Sequence, residues 1–161
     1  MYVMQKTYQD IKLLNKKKYS AVLMFPSEPE KRMARFREIV ENAFEEIGVK
    51  SNDNWELIIL DSSHRKTPDD TFEEIYNANL IIAECTDTRP NIFYMMGLAH
   101  GFGHPVCACY MTSDIDSKVP FNVSGRQRLN YSINTVEQQD ILKKNIINWI
   151  KDYEKKQFSH K

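Results

Sequence analysis

Four continuous apolar runs, spaced along the chain and separated by segments of helical periodicity, constrain the fold of this sequence more than any other feature. They are Ala21–Phe25, Leu57–Leu60, Leu80–Ala83 and Val106–Tyr110. None alternates apolar with polar residues, so each reads as a strand covered on both faces, and strands alternating with helices define βαβ units around a mostly parallel sheet. Arg128–Tyr131 is a shorter run and reads as a fifth, edge strand.

The intervening segments carry helix starts. Ser27-Glu28-Pro29-Glu30 reads as a capping box before the stripe Met33, Phe36, Val40, Ala43, Phe44 and Ile47, with Gly48 as the stop. Thr67-Pro68-Asp69-Asp70 opens a short helix, ending near Ala78, that turns Phe72, Ile75 and Tyr76 inward. A third helix runs from Asn91 to about Phe102, and the capping box Thr135–Gln138 starts a last one with the stripe Leu142, Ile146, Trp149, Tyr153. The expected organisation is a basic N-terminal arm or helix over residues 1–18 and one α/β domain over 19–161. The long polar stretch Thr112–Arg126 has the character of a lid or binding loop.

Charge and composition narrow the function. With 22 Lys+Arg against 22 Asp+Glu, no global field draws in nucleic acid, and no run reaches the ~20 apolar residues that span a bilayer. Met1–Lys18 lacks the apolar centre of a signal peptide, so the expected compartment is the cytoplasm. Cys85, Cys107 and Cys109 are odd in number and lack metal-ligand spacing, so they read as reduced, buried hydrophobes. His100 and His104 are four apart, but Gly101, Gly103 and Pro105 put His104 beyond the helix, and no acidic partner completes a metal site.

In an open parallel sheet, ligands bind at the carboxyl ends of strands where successive connections depart to opposite faces. Those ends present Phe25-Pro26-Ser27, then Asp61-Ser62-Ser63-His64, then Glu84 through Arg89. Glycine-rich phosphate loops are absent, which leaves a Rossmann dehydrogenase or a P-loop nucleotidase without support, and a G-x-S-x-G elbow is absent as well.

The segment Ala78–Val106 carries the most specific pattern, with Ala83-Glu84-Cys85-Thr86, Pro90-Asn91-Ile92-Phe93-Tyr94-Met95-Met96-Gly97 and Gly103-His104-Pro105-Val106 in succession. It resembles the nucleoside 2-deoxyribosyltransferase-like proteins and their TIR-like relatives. Tyr19–Pro26 is similar to that family's first strand with Phe25 and Pro26 in swapped order, and Val119-Pro120-Phe121-Asn122 with Arg128–Tyr131 is similar to its closing stretch. The resemblance implies a flavodoxin-like three-layer sandwich of about five mostly parallel strands with helices on both faces. It also implies a nucleoside, nucleotide or NAD-like ligand and, in active members, cleavage of an N-glycosidic bond by the Glu of F-Y-E-L-G. That position is Met95 here, which has neither charge nor nucleophilic oxygen.

The expectation is therefore a catalytically degenerate nucleotide-binding sensor or regulatory module needing no cofactor. The alternatives are an N-glycosidic enzyme using Glu84, Asp61 or Asp87, and a TIR-like self-association module. Glu84 follows its strand where it would meet a sugar hydroxyl or cap a loop. The other candidate ligand-binding residues are Phe25, Pro26, Ser27, Asp61, Thr86, Asn91, Phe93 and Tyr94. The helix Asn91–Phe102 is apolar nearly all round, which points to a homo-oligomer.

Overall fold

The computed structural model describes residues 19–51, 55–61, 67–112 and 128–159. The arm 1–18, Ser62–Lys66, and the loop with its Val119-Pro120-Phe121-Asn122 stretch lie outside the described residues. The elements are β1 (Tyr19–Phe25), α1 (Glu30–Ser51), β2 (Trp55–Asp61), α2 (Pro68–Asn77), β3 (Leu80–Glu84), α3 (Pro90–Gly101), β4 (Val106–Met111), β5 (Arg128–Tyr131) and α4 (Val136–Phe158). All five strands are parallel, in the order β2-β1-β3-β4-β5. This is the flavodoxin-like three-layer sandwich, with β5 at one edge.

Successive strand residues supply two separate cores because side chains alternate across a strand. Ala21, Leu23, Leu80, Ile82, Cys107 and Cys109 face α1 and α4, where Phe36, Val40, Leu142 and Ile146 meet them. Val22, Met24, Ile81, Ala83 and Ala108 face α2 and α3, where Ile75, Ile92, Met96 and Ala99 meet them.

The helix ends follow local chemistry, with two departures from the sequence pattern. Thr67 and Thr135 each form a full capping box, with Asp70 and Gln138 respectively, and Pro68 sits in the first turn of α2. Ser27 does not head α1. The helix begins at Glu30, and the Pro29 carbonyl accepts from the Met33 N–H at 3.0 Å. A cap at Ser27 would need helical backbone at Glu28, a conformation disfavoured by the proline that follows it. Gly48 does not stop α1, which continues to Ser51. The glycine that ends a helix is Gly103, at φ +79°. Its N–H reaches the His100 carbonyl and the His104 N–H reaches that of Ala99, both at 3.0 Å, a Schellman closure of α3 that leaves His104 beyond the helix. Phe72, expected inward, is 45% exposed; Ile75 is the residue of α2 that is fully buried.

Phe36 is fully buried and lies 5.1 Å from the Tyr131 ring, joining α1 to the edge strand. Phe36→Ala is expected to lower stability by about 3–5 kcal/mol through lost burial and a residual cavity. Chemical denaturation checks this, and a loss below ~1 kcal/mol would show that the site collapses without cost.

Candidate functional site

The order of the sheet creates the site. The chain leaves β1 into α1 on one face and leaves β3 into α3 on the other, so the carboxyl ends of these adjacent strands border a gap. Two clefts open there. The one beside α1, about 1170 Å³, is bordered by Phe25, Ser27, Met33, Arg37 and Asp87 through Pro90. The one between α2 and α3, about 710 Å³, is bordered by Pro26, Ser27, Glu28, Asp69, Phe72, Arg89, Asn91, Tyr94, Met95 and Leu98, among others.

Glu84 lies below this gap and is 1% exposed. Its Oε1 accepts from the Thr86 hydroxyl, from the Thr86 N–H at 3.3 Å and from the Tyr131 hydroxyl at 2.9 Å. Thr86 Oγ1 in turn accepts from the Met111 N–H at 2.9 Å, so one carboxylate ties the end of β3 to the ends of β4 and β5. Oε2 has no hydrogen-bond partner among the described residues. Burial raises the Glu84 carboxyl above its ordinary value, against the opposing pull of its donors and of Arg32. The Tyr131 hydroxyl is pushed up as well, by burial and by the carboxylate it faces. Cys85 turns to the other face, where burial pushes its thiol up to about 12 and leaves it unreactive.

Above Glu84, Arg32 pairs with Asp87 at 2.5 Å and so ties α1 to the loop between β3 and α3. Thr88, at the tip of that loop, has φ +49°, a left-handed conformation uncommon for a β-branched residue. Arg89 then takes the N-cap position of α3 without a side-chain cap, and no acid stands in the first turn. Pro90 has no N–H, and the N–H groups of Ile92 and Phe93 donate to the Arg89 carbonyl, so the helix start offers the Asn91 N–H and a positive dipole end, beside Arg89, which borders both clefts.

The structure divides the sequence-derived site residues into three groups. Pro26, Ser27, Asn91, Tyr94 and Met95 border the α2–α3 cleft, while Phe25 and Ser27 border the α1 cleft. Glu84 and Thr86 are buried in the network beneath, and Phe93 packs against the α2–α3 core. Asp61 ends β2 in register with Phe25, and its side chain lies outside the described atoms. Asp69, Phe72, Glu28 and Arg89 also border the cleft that holds Met95 and were not singled out from sequence. Asp69 and Phe72 carry a signal that reads equally well as helix chemistry, a first-turn acid and an inward aromatic. Among the described residues no group of three His, Cys, Asp or Glu is placed to hold a metal, and no helix is long and apolar enough to cross a membrane.

A flavodoxin-like sandwich with paired clefts at its switch point is the class that fold and site define. No family model and no curated protein matches the sequence. Among solved structures, the chain is similar to the CMP N-glycosidase BcmB of Clostridium botulinum, with a TM-score of 0.50 and 17% identity over 76% of this chain and 97% of that one. The lysine decarboxylase LdcF of Francisella novicida aligns at 11% identity over 83% of this chain and 18% of its own, with a TM-score of 0.44. At this identity the likeness to BcmB is one of fold alone.

The raised Glu84 carboxyl sets a pH dependence. In the unfolded chain it titrates near 4.5, and in the folded chain at a higher pH. Between the two values the folded state holds the proton and the unfolded state does not, so stability falls as pH rises through that window. Glu84→Gln removes this titration, and its stability relative to the wild type is expected to improve as pH rises from about 4.5 to 7. Denaturant melts across that range measure it; a pH-independent difference would place the Glu84 carboxyl at its unfolded value.

Proposed function

We propose that this chain is a nucleotide-binding domain whose α2–α3 cleft takes a nucleoside or nucleotide and does not cleave its N-glycosidic bond. The observation that carries this reading is Met95, which borders the cleft where the resemblance puts the catalytic carboxylate. A thioether cannot stabilise an oxocarbenium-like sugar or attack it. The rest of the cleft suits the ligand. Arg89 and the start of α3 favour a phosphate, the exposed ring of Tyr94 offers a face to a base, and Asn91 and Glu28 offer polar groups to a sugar. BcmB is described as acting on CMP, which makes nucleoside monophosphates the first ligands to try.

A second reading has one observation in its favour. Asp69 and Glu28 border the same cleft as Met95, so two carboxylates remain there for an N-glycosidic enzyme, whereas Glu84 is enclosed and already accepts three hydrogen bonds. Either reading is compatible with a homo-oligomer, since Tyr94 is 70% exposed on α3 and a second copy would cover it.

Titration with CMP, cytidine, inosine and deoxyuridine forms, and NAD is expected to give saturable binding to at least one of them, with no free base or nicotinamide on chromatography. Arg89→Ala is expected to weaken binding of the phosphorylated ligand about tenfold, about 1.4 kcal/mol, and to leave the matching nucleoside unaffected. Base release by the wild type would replace the binding reading with the enzymatic one. Absence of binding to every ligand would remove both.

A further inference from the structure

Helix α2 is the most acidic element of the fold. Its ten residues include Asp69, Asp70, Glu73 and Glu74 and no Lys, Arg or His. Asp69 and Glu73 are exposed, and Phe72 between them stays 45% exposed although it stacks on Tyr76 and meets Phe102 edge-on at 5.1 Å. An aromatic shelf bordered by acids is a surface that a basic, apolar segment would cover.

The sequence contains such a segment, and the fold delivers it to this place. Residues 1–18 hold five lysines against the single Asp10, together with Ile11, Leu13 and Leu14. Their surplus of four positive charges equals the four negative charges of α2. The segment joins β1 where Ser20 is stitched to the end of α2. The Ser20 N–H donates to Asn79 Oδ1 at 2.9 Å, the Ser20 hydroxyl to the Asn77 carbonyl at 3.3 Å, and the Asn79 N–H to the Ser20 carbonyl at 2.7 Å. Lys16, Lys17 and Lys18 thus precede a residue held at the negative dipole end of α2, whose last turn has no cation of its own. Phe72 is five residues up that helix, about 7.5 Å along its axis. Leu14 is six residues from Ser20, a separation that spans about 9 Å as helix and about 20 Å extended, so the shelf is within reach in either case.

We propose that residues 1–18 dock on α2 of their own chain, with lysines facing Asp69 and Glu73 and with Ile11 and Leu14 covering Phe72. Asp69 and Phe72 also border the α2–α3 cleft. The inference does not depend on what that cleft binds.

Zero-length carbodiimide coupling of the full chain tests it, in an equal mixture of unlabelled and 15N-labelled protein at low salt. Lysines 16–18 are tethered within reach of α2 by connectivity alone, whether or not the segment docks, so the diagnostic product joins Lys12 or Lys6 to Asp69 or Glu73 within one isotopic chain. It is expected in the wild type, and to be lost in Phe72→Ser, whose exposed site leaves the fold intact. It is also expected to be lost at about 1 M salt, where charge attraction is screened within about 3 Å. Coupling between differently labelled chains only would assign the surface to a second copy and overturn the proposal. Coupling of these lysines to α1 or α4 carboxylates as often as to α2, no coupling at all, or a product that survives Phe72→Ser would overturn it equally.

Discussion

The parting of the chain between β1 and β3 is the constraint from which the rest of the structure follows. The two strands lie side by side, yet one feeds a helix on the upper face and the other a helix on the lower, so neither core extends into the space beyond their ends. Because the strands are parallel and apolar on both faces, their amino ends and middles are closed off by helices. Polar side chains that need contact with a ligand are left the strand ends and the helix starts, which is where Ser27, Asp69, Arg89 and Asn91 stand.

Building a gap into a small domain leaves its floor in need of support, and Glu84 provides it. A carboxylate enclosed to 1% exposure is costly to keep charged, and three donors from Thr86 and Tyr131 offset part of that cost. The arrangement joins β3 to β4 and β5 at the height of the cleft, while the Arg32–Asp87 pair joins α1 to the loop above. Glu84 thereby acts on the shape of the gap from beneath, whereas Met95 stands on the wall of the α2–α3 cleft.

The strands were legible because a run such as Leu80–Ala83 has no helical alternative of comparable burial, and the caps at Thr67 and Thr135 because each places two complementary polar groups three residues apart. The cap at Ser27 misled because the same local rule ignores what Pro29 does to Glu28. Gly48 misled because glycine tolerates a helix as well as ending one. The candidate site was legible along one segment only. Met95, Asn91 and Tyr94 are close in sequence and stand together on one cleft, but Asp69, Phe72 and Glu28 reach it from other elements. No periodicity in α2 separates a residue facing solvent at a cleft rim from one facing the core, since Phe72 and Ile75 are three apart and differ only in what lies opposite them.

Methyl NMR on the seven methionines tests the central claim most directly, because Met95 borders the α2–α3 cleft and Met33 the α1 cleft. Titration with a nucleoside monophosphate is predicted to shift the Met95 methyl saturably while leaving Met33 in place, with the sugar–base bond intact at the end of the titration. A saturable shift of Met33 with Met95 unmoved would put the ligand in the other cleft and contradict the account.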